Sequence, residues 1–260
     1  MNSSVLCVVG SRIGPRCLAS FLESGGFGQV TVAPTPKCEA SALESVLAKY
    51  AGRVSIAGDL TELFGQISSR RTRYDWLLNL WGEVILPEGV LSGVGDSVNI
   101  HPAMLPYGRG SDPAIWTLRN HWPAGVSLHR ITSEVDGGPV WSQRKVNVAF
   151  PCRGVDLYTA LLEACAQLFA DVWPAIRDGI IVPKDQLPVG LPTHKRRHLL
   201  EDQVLALAET DLMSVRTFVD WLLAYDFGDE FSAILSHDGL AYRARIVLEP
   251  VEYRHSPYLK

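Results

Sequence analysis

The sequence predicts an α/β protein, in which a Rossmann-like, mostly parallel sheet carries helices on both faces and is followed by a small C-terminal helix and β-hairpin. Three observations support this class. Strand-like and helix-like segments alternate through the first hundred residues, which is typical of βαβ units. The 260 residues are 47% hydrophobic and 20% charged, as expected of a chain that buries a full core. A proline-rich segment at 181–197 then separates this pattern from the C-terminal elements.

The N-terminal half is predicted to alternate between strands and helices. An apolar run that stops at Gly10 indicates a buried first strand. Later strands are indicated by β-branched or apolar runs, and helices by apolar residues at helical spacing. The later strands are predicted at 29–34, 53–58, 76–80 and 96–100, and the helices at 15–24, 39–52 and 60–69.

Two further strands and one long helix complete the predicted sheet. The strands at 124–131 and 139–148 are close enough along the chain to pair. The helix at 154–179 carries an apolar stripe with helical spacing, which indicates a core-facing surface.

The C-terminal segment is predicted to be a separate, smaller unit. Residues 1–190 are assigned to a catalytic domain and 191–260 to an accessory region. The accessory region is predicted to contain an amphipathic helix at 211–227 and a hairpin at 230–250. The hairpin should turn at Asp238-Gly239, since this dipeptide favours a two-residue β-turn.

Composition and charge exclude several classes of function. The net charge of −4 gives no basic surface for nucleic acid. The five cysteines form no CxxC pair, so we expect neither a disulfide framework nor a metal site. No run of about 18 apolar residues is present to cross a membrane. A cytoplasmic protein that binds no nucleic acid and no membrane is therefore expected, with a homodimer favoured only weakly.

The segment "NIHPAMLPYGRGSDPAIW" at 99–116 follows a predicted buried strand and places Asn99 two positions before His101. Residues two apart on a strand point to the same face. At the carboxyl end of a parallel strand, both side chains would project into the crevice where such sheets bind ligands. The alternative is a capped strand end with a histidine that only satisfies its own hydrogen bonds.

A second segment, "SEVDGGPVW" at 133–141, places Asp136 between two strands that should lie beside the first. An aspartate before two glycines is also common in a turn, where its carboxylate bonds the local backbone. An Asn, a His and an Asp at neighbouring strand ends are nevertheless suited to acyl transfer. The carboxylate orients the imidazole, the imidazole moves a proton, and the amide stabilises the oxyanion.

Three segments resemble the formyltransferases that use 10-formyltetrahydrofolate, among which are methionyl-tRNA, glycinamide ribonucleotide and amino-sugar formyltransferases. They are "NIHPAMLPYGRGSDPAIW", "GVSLHRITSEVDGGPV" and the "ILP" of "GEVILPEGVL". The family pattern is Asn-x-His-Pro-(small)-x-Leu-Pro, then Gly-Val-(Ser/Thr)-x-His, then Asp-x-Gly-(Pro/Asp)-(Ile/Val). This sequence keeps each part in order, and the clear match covers about residues 75–150.

The resemblance implies a role for each matched residue. Asn99 would hold the formyl oxygen, His101 would be the acid/base group, and Asp136 would position His101 and a water. The pterin of 10-formyltetrahydrofolate would lie against the backbone of two segments, and no metal is implied. The implied cofactor-binding residues are Val84, Ile85, Leu86 and Pro87 in one segment and Glu134, Val135 and Gly138 in the other.

Two further segments are candidates for binding the amine acceptor. The turn "VVGSRIG" lacks the spacing of a dinucleotide fingerprint, but its backbone N–H groups at a helix start could bind an anion. The basic cluster "THKRR" at 193–197 could bind phosphate, although most such clusters are solvated. The candidate substrate-binding residues are Gly10, Ser11, Arg12, Arg109, His194 and Lys195.

The identity of the acceptor stays open in the sequence. A nucleotide-linked amino sugar is preferred, because the short segment beyond 195 resembles the amino-sugar enzymes more than the basic, barrel-bearing tRNA enzymes. An amino acid amine of a natural-product pathway is the alternative acceptor. A 10-formyltetrahydrofolate hydrolase would use the same Asn99, His101 and Asp136 with water as nucleophile, and a catalytically silent binding module on the same fold is a third reading.

Overall fold

The computed structural model describes residues 3–187, 190–208 and 213–250. Within these ranges the chain forms ten strands and eight α-helices. The strands are β1 (Ser3–Val9), β2 (Phe27–Pro34), β3 (Val54–Ile56), β4 (Tyr74–Leu80), β5 (Val94–His101), β6 (Gly125–His129), β7 (Val140–Lys145), β8 (Val204–Ala206), β9 (Ala233–His237) and β10 (Leu240–Ala244). The helices are α1 (Ile13–Ser24), α2 (Ala40–Lys49), α3 (Leu60–Ser68), α4 (Glu88–Leu91), α5 (Pro113–Arg119), α6 (Gly154–Arg177), α7 (Arg196–Asp202) and α8 (Val215–Ala224).

The main sheet has seven strands in the order β3-β2-β1-β4-β5-β6-β7. The first five are parallel, and β6 and β7 are antiparallel to their neighbours. The predicted α/β class with a mostly parallel sheet is therefore confirmed. Strand order reverses between β1 and β4, and ligands of such sheets bind beyond the carboxyl ends of the strands at this kind of reversal.

Both faces of the sheet are covered by helices, which explains why β1 is continuously apolar and buried from Val5 to Val9. Val5 and Cys7 point into a core that includes residues of α1 and α6. Leu6 and Val8 point into a second core, on the opposite face, that includes Leu63 of α3. Successive residues of a strand alternate between faces, so a strand with helices on both sides must be apolar at every position.

Strands β8, β9 and β10 form a second, three-stranded sheet in the order β10-β9-β8, and α8 lies between β8 and β9 in the chain. The predicted hairpin is present: β9 and β10 are antiparallel, and Asp238 and Gly239 both have positive φ, of 48° and 76°, as a type I′ turn requires. The helix predicted over 211–227 spans Val215–Ala224, and positions 211 and 212 lie outside the described residues.

Three short elements were not predicted, namely α4, α7 and β8. They span three to seven residues, which is too short for a periodic pattern to be distinguished. Trp116 of α5 packs in the same core as Trp221 and Tyr225 of the C-terminal elements. The division at residue 190 stays a prediction, and residues 251–260 of its second part lie outside the described ranges. No helix in the described part of the chain is long and apolar enough to cross a membrane.

Candidate active site

A cleft of about 770 Å³ opens beyond the carboxyl ends of β4 and β5. One wall follows β4 and leads into α4, and the facing wall is the loop after β6. The base of the cleft is formed by the end of β5 and by the first residues of α5. The lining of the cleft includes Lys37, Asn79, Glu83, Val84, Ile85, Leu86, Asn99, His101, Asp112, His129, Glu134, Val135, Asp136 and Arg196.

Asn99, His101 and Asp136 meet in this cleft, as the sequence predicted. His101 is the last residue of β5, and Asn99 precedes it by two positions on the same strand. The Nδ2 atom of Asn99 lies 3.4 Å from Oδ1 of Asp136, and Nδ1 of His101 lies 3.6 Å from Oδ2 of the same carboxylate. Since Asp136 arrives on the loop between two antiparallel strands, the turn of β6 into β7 brings it to the end of β5.

The two nitrogens of His101 have different surroundings. Nε2 lies 2.9 Å from the carbonyl oxygen of Gly108; because a carbonyl only accepts, Nε2 carries a proton and donates it. Nδ1, which faces Asp136, is then the basic nitrogen of a neutral ring. Burial lowers the pKa of His101, the Asp136 carboxylate opposes this effect, and His129 adds to it; the net direction is downward. The neutral form of the His101 ring is therefore favoured at neutral pH.

The Asp136 carboxylate is held in the charged form. Burial by itself would raise its pKa, but the electrostatic interaction with the His101 ring, the contact with His129 and a 2.8 Å hydrogen bond from the Gly110 N–H bring the pKa well below its usual range. A carboxylate at this position stabilises any proton that His101 takes up.

Two more buried side chains complete the cluster. Asn79 of β4 donates a 2.7 Å hydrogen bond from Nδ2 to Oδ1 of Asn99. His129 of β6 donates from Nδ1 to the carbonyl of Arg130 at 2.8 Å, and its Nε2 accepts from Nδ2 of Asn99 at 2.9 Å. Asn79 was not among the predicted site residues; its signal in the sequence is a single polar residue inside the apolar run "WLLNL".

Most of the residues expected to bind the folate lie on the two walls. Val84, Ile85 and Leu86 line one wall, and Glu134 and Val135 line the other. Pro87 and Gly138 adjoin these walls without lining the cleft. The Pro87 carbonyl accepts hydrogen bonds from the first turn of α4, and the Gly138 carbonyl accepts one from Gln186.

The structure does not bring Gly10, Ser11 and Arg12 to the lining of the cleft. Gly10 lies against Trp81, the first residue after β4, and a Cβ added to Gly10 would come within 2.2 Å of the Trp81 carbonyl oxygen. The side chain of Arg12 is 87% exposed and pairs with Glu39. Their role in binding an acceptor stays a prediction.

Arg109, His194 and Lys195 also lie outside the cleft lining. Arg109 contacts Glu134 and Gln186. The ring of His194 stacks on Trp116, with centroids 4.0 Å apart. Lys195 is the residue before α7. These contacts are within the protein, so a direct contact of these three residues with an acceptor also stays a prediction.

Two further cations line the cleft: Lys37, which no sequence pattern indicated, and Arg196, which belongs to the basic cluster at 193–197. Lys37 forms an ion pair with Glu83, and Arg196 forms one with Asp112. An Asp directly before a Pro that begins a helix is well suited to cap that helix. Pro113 does begin the helix, but Asp112 has a left-handed backbone and its side chain makes no cap hydrogen bond; the carboxylate pairs with Arg196 instead. Because Arg196 is remote in sequence from β5, only the folded chain reveals this proximity.

Comparison with known proteins is consistent with this geometry. Residues 77–172 match the family model described as formyl transferase, and this segment contains Asn99, His101, His129 and Asp136. A dTDP-4-amino-4,6-dideoxyglucose formyltransferase of Mycobacterium tuberculosis (strain ATCC 25618 / H37Rv) is 27% identical over 179 residues, which cover 68% of this chain and 75% of that protein.

Solved structures of similar fold cover almost the whole chain. A 4-N formyltransferase from Francisella tularensis superposes with a TM-score of 0.76 at 19% identity, over 96% of this chain and 99% of the other. An N-formyltransferase from Helicobacter canadensis, in complex with folinic acid and dTDP-3-aminofucose, gives a TM-score of 0.70 at 17% identity, over 92% and 85% of the two chains. The motif resemblance is thus confirmed, and the segment 77–172 that matches the formyl transferase family model contains the whole candidate cluster.

Proposed function

We propose that this protein is an N-formyltransferase that moves the formyl group of 10-formyltetrahydrofolate to the primary amine of a nucleotide-linked amino sugar. The observation that carries the proposal is the convergence of Asn99, His101 and Asp136 on one cleft. The residue types match the needs of acyl transfer, which are an oxyanion donor, a base and a group that orients the base.

Asn99 is the oxyanion donor of the proposed mechanism. Its Oδ1 is occupied by Asn79, so its NH2 group faces Asp136 and the cleft. The contact with Asp136 is long, at 3.4 Å, and is the one that a substrate oxygen would replace. When bound, 10-formyltetrahydrofolate supplies a formyl carbon whose oxygen becomes negatively charged as an amine adds to it. Donors prepared for that charge lower the barrier.

His101 moves the proton in the proposed mechanism. Its unprotonated Nδ1 takes a proton from the amine nitrogen as the new C–N bond forms. Asp136 stabilises the resulting imidazolium. The same nitrogen then returns the proton to the departing nitrogen, N10 of the folate, as the old C–N bond breaks. The ring ends in its starting state, with tetrahydrofolate and a formamide as products.

The walls of the cleft are suited to a pterin. The backbone N–H and C=O groups of Ile85 and Leu86 form no hydrogen bond with any other described residue. Free backbone groups at an apolar wall can pair with the amide-like edge of a pterin ring. The facing loop contributes Glu134 and Val135, and Ile85 is 87% exposed and available for contact with the ring.

Lys37 and Arg196 support a phosphorylated acceptor. Both side chains line the cleft, and a diphosphate would compete with Glu83 and Asp112 for their positive charge. The named activity of the relative of Mycobacterium tuberculosis and the bound dTDP-3-aminofucose of the Helicobacter canadensis protein support the same acceptor class. The folinic acid in the latter supports a folate co-substrate.

The test is a transfer assay with purified protein and 10-formyltetrahydrofolate. Three reactions are compared, with dTDP-4-amino-4,6-dideoxyglucose, with a free amino acid, and without any amine. Mass spectrometry should detect a formylated nucleotide sugar only in the first. Formylation of the amino acid would instead favour the natural-product acceptor. Equal release of tetrahydrofolate without amine would indicate a hydrolase, and no turnover in any reaction would favour the binding module.

A further inference from the structure

Arg109 lies between the two backbone groups that hold the candidate base and its partner. The carbonyl oxygen of Gly108 accepts from His101, and the N–H of Gly110 donates to Asp136. Any shift of Arg109 therefore moves both contacts. The Arg109 side chain is only 16% exposed and does not line the cleft, so it is placed to act on protein groups.

Gln186 connects this loop to the loop that carries Asp136. Its Nε2 donates to the carbonyl oxygens of Asp136 and Gly138, at 2.7 and 2.8 Å. Its Oε1 accepts from Nη2 and Nε of Arg109, at 2.9 and 3.2 Å. The side-chain amide is fully used by these four bonds. We name this pair, Arg109 with Gln186, the clamp.

The clamp is anchored at the edge of the main sheet. The backbone of Lys184 exchanges two hydrogen bonds with Val140 of β7, at 2.7 and 2.9 Å. Gln186 is two residues beyond this bridge, and Gln186 is absent from the cleft lining. Its position is therefore set by the sheet, and the cleft can be occupied without contact to it.

The loop needs such an anchor because of the backbone of Asp136. This residue has φ of 50°, a left-handed conformation that is unfavourable for a residue with a Cβ and persists where surrounding contacts enforce it. The carbonyl that follows this strained φ is the one that Gln186 holds.

We propose that Arg109 and Gln186 are positioning residues, which fix Asp136 against His101 through the backbone and do not contact the acceptor or the folate. The proposal rests on the proposed function only for its kinetic readout. It assigns to Arg109 a role other than the acceptor contact expected from the sequence.

The experiment compares four variants with the wild type. Gln186→Met keeps the length of the side chain and removes all four hydrogen bonds. Arg109→Lys keeps the charge but cannot present the same two donors to Gln186. The double variant joins the two changes, and Gln167→Met, at an exposed position of α6, is the matched control, since it loses one hydrogen bond, to Glu163, on the outer surface.

In the transfer assay, Gln186→Met should lower kcat by about ten-fold or more, with both KM values within about two-fold, because a misplaced base slows the chemical step. Arg109→Lys should have an effect of the same kind, and the double variant should be no worse than the more severe single variant by more than about two-fold. Gln167→Met should match the wild type. A raised acceptor KM with unchanged kcat for Arg109→Lys would overturn the proposal in favour of substrate contact.

An NMR titration of the histidine ring protons tests the clamp without turnover. The signal of His101 is assigned by its loss in His101→Gln. His129 and Asp136 are the titratable groups nearest the ring, and the other charged groups of the cleft are Lys37, Glu83, Asp112, Glu134 and Arg196. In Gln186→Met the Asp136 carboxylate should move away from the ring, so His101 should titrate at lower pH than in the wild type.

The two readouts separate the failure of this inference from failure of the proposed function. If the wild type transfers no formyl group, the proposed function fails, and the titration still decides on the clamp. An unchanged His101 titration together with unchanged kcat in a folded Gln186→Met protein would overturn the inference. If that variant does not fold, Arg109→Lys supplies the same comparison.

Discussion

The side-chain amide of Asn79 donates a hydrogen bond to Oδ1 of Asn99, its register partner on the neighbouring parallel strand. An amide has one acceptor and one donor end, so this contact determines that the NH2 group of Asn99 faces the cleft. An oxyanion donor is effective only when it already points at the developing charge. A residue on the strand next to Asn99 and His101 thus orients the central donor of the proposed site.

Replacing Asn79 should therefore impair catalysis more than binding. In Asn79→Leu the Oδ1 of Asn99 loses its donor and the amide can rotate. We expect kcat to fall by about ten-fold or more, with KM for the folate little changed. Steady-state kinetics with the nucleotide sugar would measure this. Asn120→Leu, which removes a 2.8 Å bond to the Trp116 carbonyl outside the cleft, should leave kcat unchanged; equal losses in both variants would point to a general effect on the fold.

Removing the proposed donor or base should nearly abolish turnover. Asn99→Ala should lower kcat by roughly 10²–10³, the usual effect of losing one oxyanion donor, and His101→Ala should lower it by about 10²–10⁴ through loss of general base catalysis. Circular dichroism and the melting temperature would verify that each variant is folded. Near-normal rates in both folded variants would remove the site assignment.

The pH dependence of kcat should depend on Asp136. The carboxylate raises the pKa of His101 against the larger effect of burial, so Asp136→Asn should lower the pKa of His101 further. Because neutral His101 is the proposed base, the acid limb of the kcat profile should move to lower pH. The plateau should also fall, since a weaker base takes the proton less readily. A profile that keeps its acid limb in place would contradict the assignment of that limb to His101. The loss of kcat in Asp136→Asn should not add fully to the loss of kcat in His101→Ala, because both residues act on the same proton.

Gly110 should tolerate no side chain. Its φ is 87°, and an added Cβ would come within 2.1 Å of the His194 carbonyl oxygen. Gly110→Ala should therefore shift the loop, weaken the bond from Gly110 to Asp136, and reduce the free energy of unfolding by about 1–3 kcal/mol. Gly52→Ala is the matched control, since Gly52 also has a positive φ, of 78°, but nothing lies within 4 Å of its added Cβ. Denaturant unfolding of both variants measures the difference, which isolates the clash from the cost of the backbone conformation.

Arg196 should contribute to acceptor affinity. In Arg196→Ala the cleft loses a cation beside Asp112, so KM for a diphosphate-bearing acceptor should rise by about ten-fold or more while KM for the folate stays unchanged. Arg197→Ala changes the next residue, which is exposed and does not line the cleft. If both variants raise the acceptor KM equally, the effect comes from general surface charge, and the prediction of a direct contact between Arg196 and the acceptor is wrong.

Much of this protein could be predicted from patterns that are local in the chain. Alternating apolar and helical periodicities predicted the long strands and helices, because burial on one face or two imposes a repeat on each element. The short elements α4, α7 and β8 were missed because too few residues carry the repeat. Asn99 and His101 were found because they lie at the end of a recognisable strand, and ligands of such sheets bind beyond the carboxyl ends of the strands. Asp136 was found because it lies in the turn between two predicted strands that are close along the chain.

The sequence by itself determined the α/β class and the three polar groups beyond the strand ends. Only the tertiary structure decided their partners, which are Asn79 for Asn99, the Gly108 carbonyl for His101 and Gln186 for the Asp136 loop, and only the tertiary structure placed Arg196 in the cleft lining. Periodicity is a property of neighbouring residues, whereas a hydrogen bond between Arg109 and Gln186 depends on strand order, register and the course of the chain after α6. These are settled by packing of the whole domain, and so they leave no signature in a local stretch of sequence.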